Sequence, residues 1–383
     1  MSAVQPVGFS ASGIAAGIKA SGDLDLALIV NNGPRYDAAA VFTTNRIAAA
    51  PVRWSQTAIA NGLARAVVLN SGGANACTGK GGDQDAEAMA SHTAQVLDLA
   101  PEDVLVCSTG LIGERLPMDK VIPGITSAAQ AVSDDSWDTA AKAIMTTDTV
   151  HKTAHAQGEG YTVAGLTKGA GMIAPGMATM LAVVTTDAVV DAPLAQQLLT
   201  EAVRTTFNRA DSDGCMSTND TVILMASGAS GITPERAELQ EYIRQVCASL
   251  ARQIIGDAEG STRDIAVTVH GAATEAEGED VARAVTRSNL FKTAMFGQDP
   301  NWGRIISAVG TTDAQFDPTT LDVAVNDVMV CRNAGIGEDR SLVKFDDREV
   351  RVDIYLKAGD HSVTVWTNDL SYDYVRENAE YSS

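Results

Sequence analysis

The chain is poor in aromatic residues, which make up 5% of its 383 positions, and poor in basic ones, with 28 lysines and arginines against 48 aspartates and glutamates. The scarcity of rings leaves Gly (33 residues) and Ala to fill the interior, so tight turns and close contacts between small side chains are expected. A formal charge of −20 repels phosphate backbones and anionic lipid surfaces. It argues against a nucleic-acid or membrane-surface partner, and solubility is the plainest reason for it. The five cysteines (Cys77, Cys107, Cys215, Cys247 and Cys331) are odd in number, and none form a CxxC pair. That pattern argues against a disulfide framework or zinc knuckle and fits a reduced, cytoplasmic setting. No apolar run approaches the roughly 18 residues of a membrane span. Met1–Gly13 carries no basic stretch followed by an apolar block. Cytoplasmic residence is the expectation.

Several familiar catalytic patterns are also missing. Gly72–Gly81 (GGANACTGKG) resembles a phosphate loop at first sight. However, Gly73 lies one position too early for Gly79-Lys80, and Gly81 replaces the hydroxyl residue the loop requires, so a structural turn is expected. His151 and His155 have an i, i+4 spacing, but Lys152 stands where a zinc protease carries Glu, so two solvent-facing histidines are expected and no metal site. There is no GxSxG elbow and no Cys-His signature.

Strands and helices interleave along the chain, which reads as an α/β protein of two or three lobes with helix-covered sheets. Apolar runs predict strands at Leu26–Val30, Ala39–Thr43, Ala66–Asn70 and Val104–Ser108, then at Tyr161–Leu166 and Thr179–Thr185. Further strands are expected at Ile265–Val269, Leu321–Val330, Val350–Tyr355 and His361–Trp366. Helices are expected at Asp83–Leu99, Ser136–Met145 and, most clearly, from Thr233 to about Ile255. In the last, Thr233 suits the cap, Pro234 the first turn, and Leu239, Ile243, Val246, Leu250 and Ile254 form one apolar face.

The informative stretch is Lys168–Ala188, KGAGMIAPGMATMLAVVTTDA. Met180–Val184 is a continuous apolar run, as in a strand buried on both faces. Thr179 stands where a Gly/Pro segment meets that strand. Cleaving the Ala178–Thr179 bond would expose an α-amine with a pKa of about 7.7–8, a ready base for the Thr179 hydroxyl. On pattern alone, a Thr opening a buried strand is usually only a strand former.

The segment is similar to the signature of the ornithine acetyltransferase family, Lys-Gly-x-Gly-Met-Ile-x-Pro-x-Met-Ala-Thr-Met-Leu. Other blocks resemble the family in the same order. They are Gly17–Gly22, Asn70–Gly79, Cys107–Gly113, Ile144–Thr149, Ser217–Thr221, Asp257–Thr262, Lys292–Arg304 and Leu370–Ser383. Gly73, His151 and Ala210–Met216 depart from the usual wording, none at a catalytic position.

The resemblance implies a layered αββα sandwich like that of certain self-processing aminopeptidases. It implies a precursor cut into Met1–Ala178 and Thr179–Ser383, which assemble as an α2β2 heterotetramer. Thr179 would be both cleavage point and nucleophile. Thr109 and Gly110 would form an oxyanion hole. Thr146, Lys168, Thr179, Glu259, Asn378 and Ser383 would line the substrate site, with Lys168 suited to a carboxylate and Glu259 to an ammonium. By residue type alone, both would be ordinary surface charges. The implied reaction moves acetyl from N2-acetylornithine to glutamate in arginine biosynthesis, with acetyl-CoA a further donor in some members and no organic cofactor or metal. A self-cleaving aminopeptidase or amidase of the same fold is the alternative, and a non-catalytic binding protein a third reading. Asp299–Arg304 (DPNWGR) marks the family without a chemical role.

Overall fold

The computed structural model of the chain describes residues 5–174 and 180–380. Ala178, Thr179 and Ser383 therefore lie outside the described residues.

Two sheets face each other across a layer of small and branched side chains. One has four strands in the order Phe9–Ile14, Leu26–Asn31, Ala66–Ser71 and Val104–Thr109, the last two parallel. The other has five, in the order Asp37–Phe42, Thr221–Ala226, Leu181–Thr186, Tyr161–Lys168 and Lys152–Gly158. Its Leu181–Thr186 strand runs parallel to Thr221–Ala226 and antiparallel to Tyr161–Lys168.

Alternate residues of each sheet divide between two cores. Ile29, Leu69, Leu105 and Ala40 pack with Leu166, Val183 and Ile223 between the sheets. The opposite faces meet helices. Leu28, Val68 and Val106 pack against Met89 of helix Gly79–Leu97 and Ile125 of helix Met118–Gln130. Val163, Val184 and Leu224 pack against Leu198 of helix Ala192–Thr205 and Ile243 of helix Arg236–Gly256. The layers are thus helix, sheet, sheet, helix, as expected. Burial on both faces explains why the strands read as unbroken apolar runs. The small residues on the inner faces suit the scarcity of aromatics.

A third sheet of six strands carries its own core. Asp264–Ala272 lies between Glu349–Tyr355, parallel, and His361–Asn368, antiparallel. Ile265, Val267 and Val352 pack there with Val281 and Phe291 from helices Glu275–Thr286 and Asn289–Phe296.

Three expectations need correction. The long helix begins at Arg236, not Thr233, because Glu235 is still extended (φ −61°, ψ 137°). The expected strand Leu321–Val330 is a hairpin of Asp322–Val325 and Val328–Arg332. Asn326 and Asp327 turn between them with φ of 45° and 67°, a conformation these short polar residues tolerate. The third concerns the two histidines. His155 is exposed on an edge strand, but His151 is only half-exposed, with Nε2 3.8 Å from Asp138.

Among the described residues no helix is long and apolar enough to cross a membrane.

Candidate active site

Thr109 ends the strand Val104–Thr109, and the chain turns sharply there because Gly110 takes φ +131°. A Cβ at Gly110 would stand 2.4 Å from Gly73 N, so only glycine fits. The neighbouring turn is bound to the same point, with Gly72 N and Gly73 N donating to Thr109 O at 2.9 and 3.0 Å. This is the segment that resembled a phosphate loop. It is a turn bridging two strand ends before helix Gly79–Leu97.

Thr109 and Gly110 open onto a cavity of about 240 Å³ that Thr146, Lys168, Glu259 and Asn378 also line. The six arrive from distant parts of the chain. Lys168 ends the strand Tyr161–Lys168 and is buried, its Nζ donating to Thr109 Oγ1 at 3.2 Å. The surface placement suggested by its residue type is therefore overturned. Glu259 is half-buried, and its Oε1 accepts from Thr147 Oγ1 at 2.7 Å and its Oε2 from Asn378 Nδ2 at 3.1 Å. The cavity wall thus carries both a cationic and an anionic side chain.

Electrostatics within the wall follow from burial. Asp148 accepts from Thr146 N (2.9 Å), Gly169 N (2.7 Å) and Lys152 Nζ (2.6 Å). Burial alone would raise its pKa, but the charges of Lys168 and Lys152 and these hydrogen bonds hold it at about 2. Lys152 is fully buried and also pairs with Asp257 at 2.6 Å. Two carboxylates therefore face one ammonium. Burial, joined by the Lys152 charge, holds the Lys168 ammonium below the usual lysine range, against the opposing pull of Asp148, Asp220 and Glu259.

The sequence block Ser217–Thr221 forms the rest of the wall. Asn219 Nδ2 donates to Ala74 O at 2.6 Å and Ser108 O at 2.8 Å, tying this loop to the Thr109 turn. Asp220 is fully buried, and its Oδ1 accepts the N–H of Met180 at 3.1 Å. Its Oδ2 has no hydrogen-bond partner among the described residues. Burial pushes its pKa well above the usual carboxylate range, with Met180 N, Ser217 and Lys168 offsetting part of the rise.

A stability test follows from Asp220. The unfolded carboxyl loses its proton near about 3.9, whereas the native one keeps it to higher pH. Above the unfolded pKa, the native state binds more protons, so the contribution is complete at acid pH and lost as pH rises toward the folded pKa. Asp220→Asn removes that slope. Urea denaturation across pH 4 to 9 should show the variant gaining on wild type as pH rises, and parallel curves for the two proteins would refute the assignment.

Asp148, Asn219, Asp220 and the Lys152–Asp257 pair were not identified from sequence, although the first three sit in the family-like blocks. DPNWGR lies apart from the cavity and has a structural task. Asn301 accepts the Arg304 N–H and caps helix Trp302–Val309, and Arg304 Nη1 donates to Leu290 O at 2.6 Å. Among the described residues no group of three or more His, Cys, Asp or Glu side chains is placed to hold a metal ion.

Comparison with known proteins yields concordant matches. A family model described as the ArgJ family matches residues 10–383. The arginine biosynthesis bifunctional protein ArgJ of Streptomyces avermitilis is 56% identical over 383 residues, covering 100% of both chains. That of Thermobifida fusca is 54% identical over the same span, again covering 100% of both. Among solved structures, ornithine acetyltransferase complexed with ornithine from Mycobacterium tuberculosis is 50% identical. The match covers 46% of this chain and 94% of that one, with a TM-score of 0.44.

Proposed function

This chain belongs to the ArgJ family, and from that premise we propose that it transfers the acetyl group of N2-acetyl-L-ornithine to L-glutamate through an acetyl-Thr179 intermediate. It is an acetyltransferase of arginine biosynthesis. The proposal concerns the route. The observation that carries it is the single cavity lined by the Thr109–Gly110 turn, a buried cation, Lys168, and a half-buried carboxylate, Glu259.

The precursor cuts itself between Ala178 and Thr179, and Thr179 begins the second chain. Its α-amine then serves as base for its own hydroxyl. The hydroxyl attacks the acetyl carbonyl, and the Gly110 N–H and Thr109 hydroxyl stabilise the oxyanion. The amide C–N bond breaks, and ornithine departs with the proton held by the Thr179 amine. Glutamate attacks the ester in turn and leaves as N-acetylglutamate. Lys168 and Thr146 receive the α-carboxylate. Glu259, with Asn378 and Ser383, receives the distal ammonium. The same intermediate is reachable from acetyl-CoA, whose thioester is a more reactive donor. The two chains assemble as α2β2 in the cytoplasm, where the five free cysteines stay reduced.

Incubation with acetylornithine and glutamate should yield N-acetylglutamate and ornithine in equal amounts, and a parallel arm with acetyl-CoA tests the second donor. Acetate released at the same rate without glutamate would replace the proposal with hydrolysis by an amidase of this fold.

A further inference from the structure

We propose that Lys168 is a positioning residue for the oxyanion, acting through Thr109: its ammonium donates to Thr109 Oγ1 and so turns the Thr109 hydroxyl hydrogen toward the reacting carbonyl. The inference rests on the oxyanion hole described above and adds to Lys168 a task distinct from holding a carboxylate.

The argument begins with donor and acceptor capacity. An ammonium has three hydrogens and no lone pair, so across the 3.2 Å between Nζ and Oγ1 only Lys168 can donate. A hydroxyl has one hydrogen and two lone pairs. With one lone pair taken by Lys168, the Thr109 hydrogen is directed away from Nζ. Thr is stiff about χ1, and its carbonyl is fixed by two backbone donors, so the hydroxyl oxygen has little room to wander.

The second element is charge. Lys168 is buried, so its field reaches the hydroxyl with little screening by water. A donor whose oxygen already accepts from a cation is polarised and gives a stronger hydrogen bond in turn. The charges of Asp148, Asp220 and Glu259 favour that buried cation, against burial and the Lys152 charge. No bond forms or breaks at Lys168. The C–Oγ bond forms at Thr179, the C–N bond breaks, and the proton leaves with the amine. Lys168 acts only on how firmly the transient oxyanion is held.

The two tasks separate with an acyl donor that has no carboxylate. p-Nitrophenyl acetate should acetylate Thr179 with a burst of p-nitrophenolate. Lys168→Met replaces the amine by an apolar chain of similar length; removing one charge from a buried cluster is costly, so its fold is checked by thermal melt beside Lys168→Arg, which keeps the charge. It should slow the burst by about 10²-fold, as Thr109→Ala does. The double variant should be no slower than Thr109→Ala alone, because both remove one unit. Lys168→Arg should recover part of the rate. If Lys168→Met is not cut, the rate of cutting in the purified precursor becomes the readout, since that reaction also lacks an α-carboxylate, and Lys168→Arg should again recover it. A wild-type burst in Lys168→Met, with a raised KM for acetylornithine alone, would overturn the inference and leave Lys168 as a carboxylate clamp. Losses that multiply in the double variant would overturn it too. An undiminished burst in Thr109→Ala would instead remove the oxyanion hole itself.

Discussion

Thr179→Ala should give a folded, uncut chain that transfers no acetyl group. Two events are assigned to one hydroxyl. In the first, Thr179 Oγ attacks the Ala178 carbonyl, and the peptide C–N bond gives way to an ester that water hydrolyses. In the second, the same oxygen carries the acetyl group, helped by the amine the first event exposed. Without the oxygen neither can begin. Losing one hydroxyl and one methyl should leave the fold intact, since so small a change rarely prevents folding. Thr179→Ser keeps the nucleophile but loses the methyl that restricts χ1, so it should cut and transfer more slowly. In wild type, N-terminal sequencing of the second fragment should read Thr-Met-Leu-Ala, and acetylornithine alone should add about 42 Da to it. Turnover by the Ala variant at the wild-type rate, or a fragment beginning elsewhere, would end this mechanism.

Thr109→Ala should lower kcat by about 10²–10³ with the fold preserved, the usual loss on removing one oxyanion donor. The backbone contacts of the turn run through Thr109 O, which alanine retains. Gly110→Ala should behave differently. Its Cβ would meet Gly73 N at 2.4 Å and Gly72 C at 2.7 Å, both backbone atoms that cannot swing aside. The turn must then open, displacing the N–H that the proposed mechanism assigns to the oxyanion, and stability should fall together with activity. Thermal melts paired with kcat distinguish the two. A Thr109→Ala enzyme with full kcat would remove the hydroxyl from the oxyanion hole, and a Gly110→Ala enzyme with a wild-type melt and full activity would show that the turn bears no strain.

Helix-covered sheets could be read from sequence because the two inner sheets are buried on both faces, which forces apolar runs such as residues 26–30 and 181–184, whereas the layered sandwich came only from the family resemblance. Lys152–Gly158 gave no such signal. It is an edge strand of mostly small and polar residues with exposed positions. The hairpin at Asn326-Asp327 was missed because apolar residues on both sides masked a turn that the two polar residues mark. Within the site, motif wording located Thr109, Lys168 and Glu259, while their surroundings were illegible. The Lys168–Thr109 and Lys152–Asp257 contacts span 59 and 105 positions of chain. No local period or spacing records pairings of that kind; the first joins strand ends from two sheets, and the second joins an edge strand to the C-terminal end of helix Arg236–Gly256.

The order of strands in the five-stranded sheet bears on what a cut at Ala178–Thr179 can do. Leu181–Thr186 lies in the middle, hydrogen-bonded on one side to Tyr161–Lys168 from before the cut and on the other to Thr221–Ala226 from after it. Asp37–Phe42, also from before the cut, closes the far side of Thr221–Ala226. The two pieces are therefore interleaved like the fingers of clasped hands, and neither holds all the strands of this sheet. A cut there would change the number of molecules without changing the architecture. Unfolding would become a dissociation, and refolding a second-order event in which each piece must find its complement with a bare sheet edge exposed. A chain cut there would thus acquire its shape once, while still continuous, and afterwards keep it by the interlock itself.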